Sequence, residues 1–213
     1  MSPLWIWAGA LVVYAAFSFW YNNWSGPLTA SEIEHYLERM TATAGEPDPE
    51  RRAAARAFLE ADDGGEFFML NLIRLHSEPV ADPDSGEPQP AQKLLRRYTG
   101  YFMPSLFRRA GHPAFAGPAA GRYLEHWGVE ADPGWTFSGI IRYRSRRDMM
   151  ELATNPAFDS AHVYKIAAMA STLAFPVAPA VQIVGPRVWV ALVLALLAAL
   201  GHLALRAVRE SGS

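Results

Sequence analysis

The sequence predicts an α+β domain, an antiparallel sheet with helices on one face, flanked by two transmembrane helices. Three observations predict it. Charge-free apolar stretches stand near both ends of the 213-residue chain, at 4–20 and 188–205. Two segments, 67–75 and 134–144, alternate side chains with the period of two that a strand requires. Between the apolar ends, and after two short leading helices, the elements run strand, helix, strand, strand, helix, strand, which is the ferredoxin-like pattern. The chain divides accordingly into a first span (1–24), an amphipathic lead-in (25–65), the α/β domain (66–180), a second span (186–207) and a tail (208–213).

Composition narrows the function classes. Nineteen basic against 21 acidic residues give a net charge of −2, with both signs interspersed, so no nucleic-acid footprint is present. Without cysteine the chain has no disulfide frame, thiol nucleophile or thiolate metal site.

The first span, LWIWAGALVVYAAFSFW from Leu4 to Trp20, has the length of a bilayer crossing and leaves through Tyr21 and Trp24, as an interfacial aromatic belt would. It lacks the basic n-region and small-residue cleavage site of a signal peptide, which favours an uncleaved anchor. The second, VWVALVLALLAALGHLAL, lies between Arg187 and Arg206. Its His202 is read as an imidazole reaching interfacial water or a neighbouring helix, ahead of a cofactor ligand. Arg206 and Arg209 on the terminal side predict cytoplasmic termini and an extracytoplasmic domain, in a bacterial inner membrane.

Thr29 and Glu32 form a capping box, with Leu28 and Ile33 as its hydrophobic staple, so a helix starts here and carries Ile33, Tyr36, Leu37 and Met40 on one face. Gly45-Glu46-Pro47 ends it. Asp48 and Pro49 start a second helix, which Asp62-Asp63-Gly64-Gly65 stops. In the first strand Phe67, Met69, Asn71, Ile73 and Leu75 share one face and Phe68, Leu70, Leu72 and Arg74 the other. Both are largely apolar, predicting a central strand covered on both sides. Proline-rich 77–90 reads as an exposed loop, and 94–106 as a helix kinked at Pro104 and closed by Gly111. An irregular strand follows over 112–121, continued after a turn over 122–127. In the next, Trp135, Phe137, Ile141 and Tyr143 oppose a wet face of Thr136, Ser138, Arg142 and Arg144. Ser145 and Asp148 cap a helix, Asn155-Pro156 breaks it and caps a successor, and Ser171 to Pro176 forms a last short strand ended by Pro176 and Pro179.

Leu70-Asn71-Leu72-Ile73-Arg74, the helix around Tyr98, Tyr143-Arg144-Ser145, Asn155-Pro156-Ala157-Phe158 and His162 together resemble the DUF1330-type proteins of the dimeric α/β-barrel superfamily over about 67–177. In those proteins a strand of the form L-N-L-x-R opens the fold, and a Y-x-S turn leads to a helix ending near D-P-x-Y and a histidine. Here Arg144 stands where many relatives have proline, Asn155 where they have aspartate, and Phe158 where they have tyrosine. The resemblance implies a sheet that meets a second copy and leaves a cleft. Some haem-degrading monooxygenases of this superfold combine an opening-strand asparagine, a tryptophan on the third strand and a helical histidine. Asn71, Trp135 and His162 occur in that order, which makes haem an alternative cofactor; otherwise none is expected.

Asn71 is the first candidate, because an amide in an apolar strand needs partners, either loop backbone or a ligand. Arg74, Arg142 and His162 complete the ligand-binding set, and Arg74, Arg142 and Arg144 would form a basic lining suited to a carboxylate or phosphate, unless they are simply solvated or paired with acidic neighbours. The remaining histidines show no metal-ligand spacing, and neither a Gly-rich phosphate loop nor a nucleophile elbow is present. No coherent catalytic set results. The expected function is a membrane-anchored, non-catalytic interaction or accessory subunit, partnered by the lipid bilayer and by a second copy or a membrane protein complex. The alternative is a small-molecule binder or monooxygenase-like enzyme using the cleft.

Overall fold

A computed structural model describes residues 4–44, 48–182 and 185–211. They form two compact units, one built from the chain ends (Met1–Trp24 with Pro179–Ser213) and one from Ser25–Ala178.

The terminal unit pairs α1 (Leu4–Tyr21) with α7 (Pro186–Ser211), both long and apolar enough to cross a membrane. Eighteen residues at about 1.5 Å each give α1 a length of about 27 Å, close to a hydrocarbon core. The pair is antiparallel: at one end Trp7 Nε1 donates to His202 Nδ1 at 3.3 Å, at the other Arg187 Nε donates to Asn22 Oδ1 at 2.8 Å and its guanidinium lies 4.9 Å from the Tyr21 ring centre. His202 thus meets a neighbouring helix. Residues 208–211, expected as a tail, prolong α7.

The central unit opens with α2 (Ala30–Ala44) and α3 (Pro49–Glu60). The capping box is present: the Glu32 amide donates to Thr29 Oγ1 and the Thr29 amide to Glu32 Oε2. Asp48 caps α3 by accepting from the Arg51 amide at 2.9 Å, while the stop predicted at Gly45-Glu46-Pro47 lies outside the described residues. Ile33, Tyr36 and Leu37 of α2 pack on Leu59 of α3 and on Met150, so the lead-in docks on the helix after the third long strand. Polar contacts pin it: Arg147 donates to both Glu32 oxygens and to the Gly26 and Pro27 carbonyls, and the Leu28 amide donates to Asp62. Gly64, at φ +75°, is required twice over, since a Cβ there would lie 2.8 Å from the Gly26 carbonyl carbon.

The sheet contains β1 (Phe67–Leu75), β4 (His112–Pro118), β5 (Phe137–Tyr143) and β6 (Met169–Val177), antiparallel throughout, in the order β4-β5-β1-β6. A small hairpin of β2 (Val80–Ala81) and β3 (Pro88–Gln89) interrupts what the sequence suggested was plain loop. It is held because Arg97 pairs with Asp82 and Asp84, and Tyr164 donates to Asp84. Helices α4 (Ala91–Arg108), α5 (Arg146–Ala153) and α6 (Asp159–Ala168) complete the unit. Leu94, Tyr98 and Leu106 of α4 and Ala161, Tyr164 and Ala168 of α6 bury Phe67, Met69, Ile141 and Tyr143.

Several expectations change. Helices α4 and α6 pack on one face of β1; on the other, Phe68 is buried and Leu70, Leu72 and Arg74 are partly buried. Residues 122–127 form no strand, and Trp135 precedes β5. Ser145 does cap α5, accepting from the Asp148 amide, but α6 follows a short 3-10 turn (Pro156–Phe158) with Phe158 at its N-cap. Pro176 lies inside β6, tolerated because β6 is an edge strand. Helix α4 ends on Ala110, at φ +56°, whose amide bonds the Phe107 carbonyl while Gly111 bonds that of Leu106. Gly111 serves close packing instead: a Cβ there would meet Leu106 at 2.4 Å.

Candidate functional site

Two features of the central unit carry candidate chemistry: a cavity beneath α4, and the sheet face turned away from α4 and α6.

The cavity, about 410 Å³, lies between α4 and the helix-facing side of β1, β5 and β6. Its walls are mainly apolar, among them Ile73, Leu95, Phe102, Met103 and Ile141. Polar side chains interrupt them: Asn71, Tyr98, Tyr143 and Lys165, with Gln92, Arg96, Thr99 and Thr172 also on the lining. Asn71 arrives there by strand alternation. Its Nδ2 donates to its own strand at Met69 O (2.9 Å) and across to Gly139 O (3.3 Å), whereas no described residue donates to its Oδ1. The amide is therefore half satisfied by backbone and half available. Burial pushes the Tyr98 phenol up to about 12 and raises that of Tyr143 as well, which keeps both as hydroxyl donors at neutral pH. Lys165 is depressed, first by burial and then by the like charge of Arg51.

The other predicted residues go elsewhere. Arg142 is no part of a wet lining: alternation puts it on the sheet face opposite Asn71, fully buried, where Nη2 lies 2.6 Å from Glu66 Oε2 and Nη1 donates to the Ala110 carbonyl at 2.7 Å. Arg144 is held by both oxygens of Asp148. Arg74 shares the face of Arg142, donates through Nη1 to Pro133 O, and keeps its Nε buried without a hydrogen-bond partner beside the similarly placed Ser171 Oγ. His162 stacks on Tyr98, with ring centres 6.0 Å apart, and Trp135 donates to the Tyr123 hydroxyl at 2.8 Å. Of the three residues that would handle a haem, only Asn71 lines the cavity.

Lys165 was missed, although the sequence holds a signal for it. It stands four residues after Ala161 and three before Ala168, inside the buried stripe of α6, where a lysine is out of place.

The face turned away from α4 and α6 is read from the register. Leu70 lies between Ile140 and Phe175, Leu72 between Ser138 and Leu173, and Phe115 beside Ile140. Phe115, Leu173 and Phe175 are 57%, 44% and 46% exposed, an apolar strip across all four strands.

A solved structure with this fold is that of RPA0582, a protein of unknown function from Rhodopseudomonas palustris. It is 25% identical, with a TM-score of 0.51, and the match covers 64% of this chain and 97% of that one. The methylated form of RPA0582 matches at 24% identity and a TM-score of 0.50, covering 66% and 95%. No family model and no curated protein matches. The likeness to RPA0582 bears on the fold.

Proposed function

We propose that the central unit is a ferredoxin-like domain of the dimeric α/β-barrel, DUF1330-like type, which α1 and α7 anchor in a bacterial inner membrane. It acts as a non-catalytic accessory subunit by pairing with a second copy through the sheet face turned away from α4 and α6. One observation carries this reading: the strip of Phe115, Ile140, Leu70, Leu72, Phe175 and Leu173 is apolar and contiguous, with Phe115, Phe175 and Leu173 exposed and the other three partly buried, and such a patch marks an interaction surface. The strand order, with the second and fourth long strands outermost, supports the fold assignment. Arg206 and Arg209 near the end of α7 support cytoplasmic termini and an extracytoplasmic domain.

The test uses the absence of cysteine. In the full chain reconstituted in nanodiscs loaded with two copies, Phe175→Cys is expected to form an intermolecular disulfide on mild oxidation. Glu38→Cys, on the exposed side of α2, is expected not to. Equal cross-linking from both positions, or none from Phe175→Cys, would overturn the pairing. A stable complex with a different membrane protein on that face would assign the surface to a hetero-assembly.

A second reading, a small-molecule binder or monooxygenase-like enzyme, is favoured by Asn71, whose Oδ1 is uncommitted at a cavity of ligand size.

A further inference from the structure

The cavity beneath α4 has an electrostatic imbalance. Lys165 lines it, with Nζ 5.7 Å from the centre of the Tyr98 ring, and among the described residues no carboxylate pairs with that ammonium. Tyr98 and Tyr143 also line it, and no described residue hydrogen-bonds either hydroxyl. A cation at a mainly apolar cavity gains from an anionic partner, and hydroxyl donors on the same wall can add hydrogen bonds to that partner. The neighbouring charge of Arg51 disfavours the lone ammonium further. Most of the rest of the lining is hydrocarbon or aromatic; Asn71, Thr99 and Thr172 are its other polar members, with Arg96 and Gln92 on the exposed side of α4. A ligand that satisfied the site would therefore bring one anionic, hydrogen-bond-accepting head and an apolar body. A volume of about 410 Å³ sits near the small end of ligand pockets, which suits a compact molecule.

We propose that this cavity binds a small apolar carboxylate, its head on Lys165 and the Tyr98 hydroxyl and its tail against Ile73, Leu95, Phe102 and Ile141. The assignment rests on the second reading above and gives that reading its ligand class. It involves the sheet face opposite to the one proposed for pairing, so the two functions are separable.

The probe is octanoate, with octanol as its neutral counterpart, titrated calorimetrically into the full chain in lipid nanodiscs, with empty nanodiscs as the measure of partition into lipid. Octanoate is expected to bind above the lipid background and more tightly than octanol. Lys165→Met, which keeps the stem and removes the charge, is expected to weaken octanoate about 10- to 100-fold, the worth of one charged hydrogen bond, and to leave octanol unchanged. Octanol bound as tightly as octanoate in the native chain would overturn the carboxylate assignment while leaving a binding cavity. Neither probe bound above empty nanodiscs would overturn both the assignment and the binder reading. Equal octanoate affinity in Lys165→Met and the native chain would remove Lys165 from the site and refute the proposal.

Discussion

Arg142 joins two separate parts of the fold: its Nη2 lies 2.6 Å from Glu66 Oε2 at the entrance to β1, and its Nη1 caps the Ala110 carbonyl at the end of α4. The guanidinium is wholly buried while Glu66 keeps 14% of its side-chain surface. Removing one partner leaves the other charge desolvated, so Arg142→Met is expected to cost about 3–5 kcal/mol, measured by denaturant unfolding. The double variant Glu66→Leu/Arg142→Met is expected to recover a large part of that loss, because it leaves no unpaired charge behind.

The α4 terminus offers a stabilising change. Ala110 holds φ +56°, which costs an L-residue about 1–2 kcal/mol, so Ala110→Gly is expected to raise stability by about 0.5 kcal/mol after glycine's extra chain entropy. Gly111→Ala, one position on, is expected to lower it, since its Cβ would overlap Leu106. A melting-temperature comparison of the two variants checks both signs.

Acid should loosen the lead-in helices before the sheet. The hydrogen bonds of the Arg147 guanidinium, and then of the Thr29 amide, hold the Glu32 carboxyl at about 2, below its ordinary 4.5. A lowered folded-state value stabilises above the unfolded one and is lost as pH falls, so the window runs from about 4.5 down to about 2. Amide exchange in α2 is expected to accelerate across it, and Glu32→Gln to remove that dependence.

The contact of Trp7 with His202 predicts that Trp7→Phe weakens the α1–α7 pair by about 1 kcal/mol, the usual worth of an interhelical hydrogen bond in an apolar medium. Tryptophan-to-lipid quenching profiles or thermal unfolding in detergent would show it. An unchanged pair would mean that packing around Ala198 and Gly201 alone sets the association.

What could be read in the residues follows from whether the physics is local. The capping box at Thr29 and Glu32, the Ser145 cap and the alternation of β1 depend on neighbours within a turn or a strand, and each was legible. Arg142 was not: alternation placed it correctly with Ser138, but its burial comes from Glu66 and Ala110, distant in sequence. The β2–β3 hairpin depends on the reach of Arg97 from another helix, which no proline count discloses. Asn71 was legible as an anomaly, but its two backbone partners are carbonyls of its own strand and of β5, where a loop was expected. Its place on a cavity shared with Lys165 required knowing that α4 and α6 lie on the same sheet face.

Both outer strands carry proline: Pro113 and Pro118 in β4, Pro176 in β6. Each proline withholds a backbone donor and sets a ring where a further strand would dock, so neither border of the sheet is a good template for adding another chain. Edge-to-edge ladder growth into fibres is thereby disfavoured. The face-to-face pairing proposed above, with its finite stoichiometry, is untouched by these prolines.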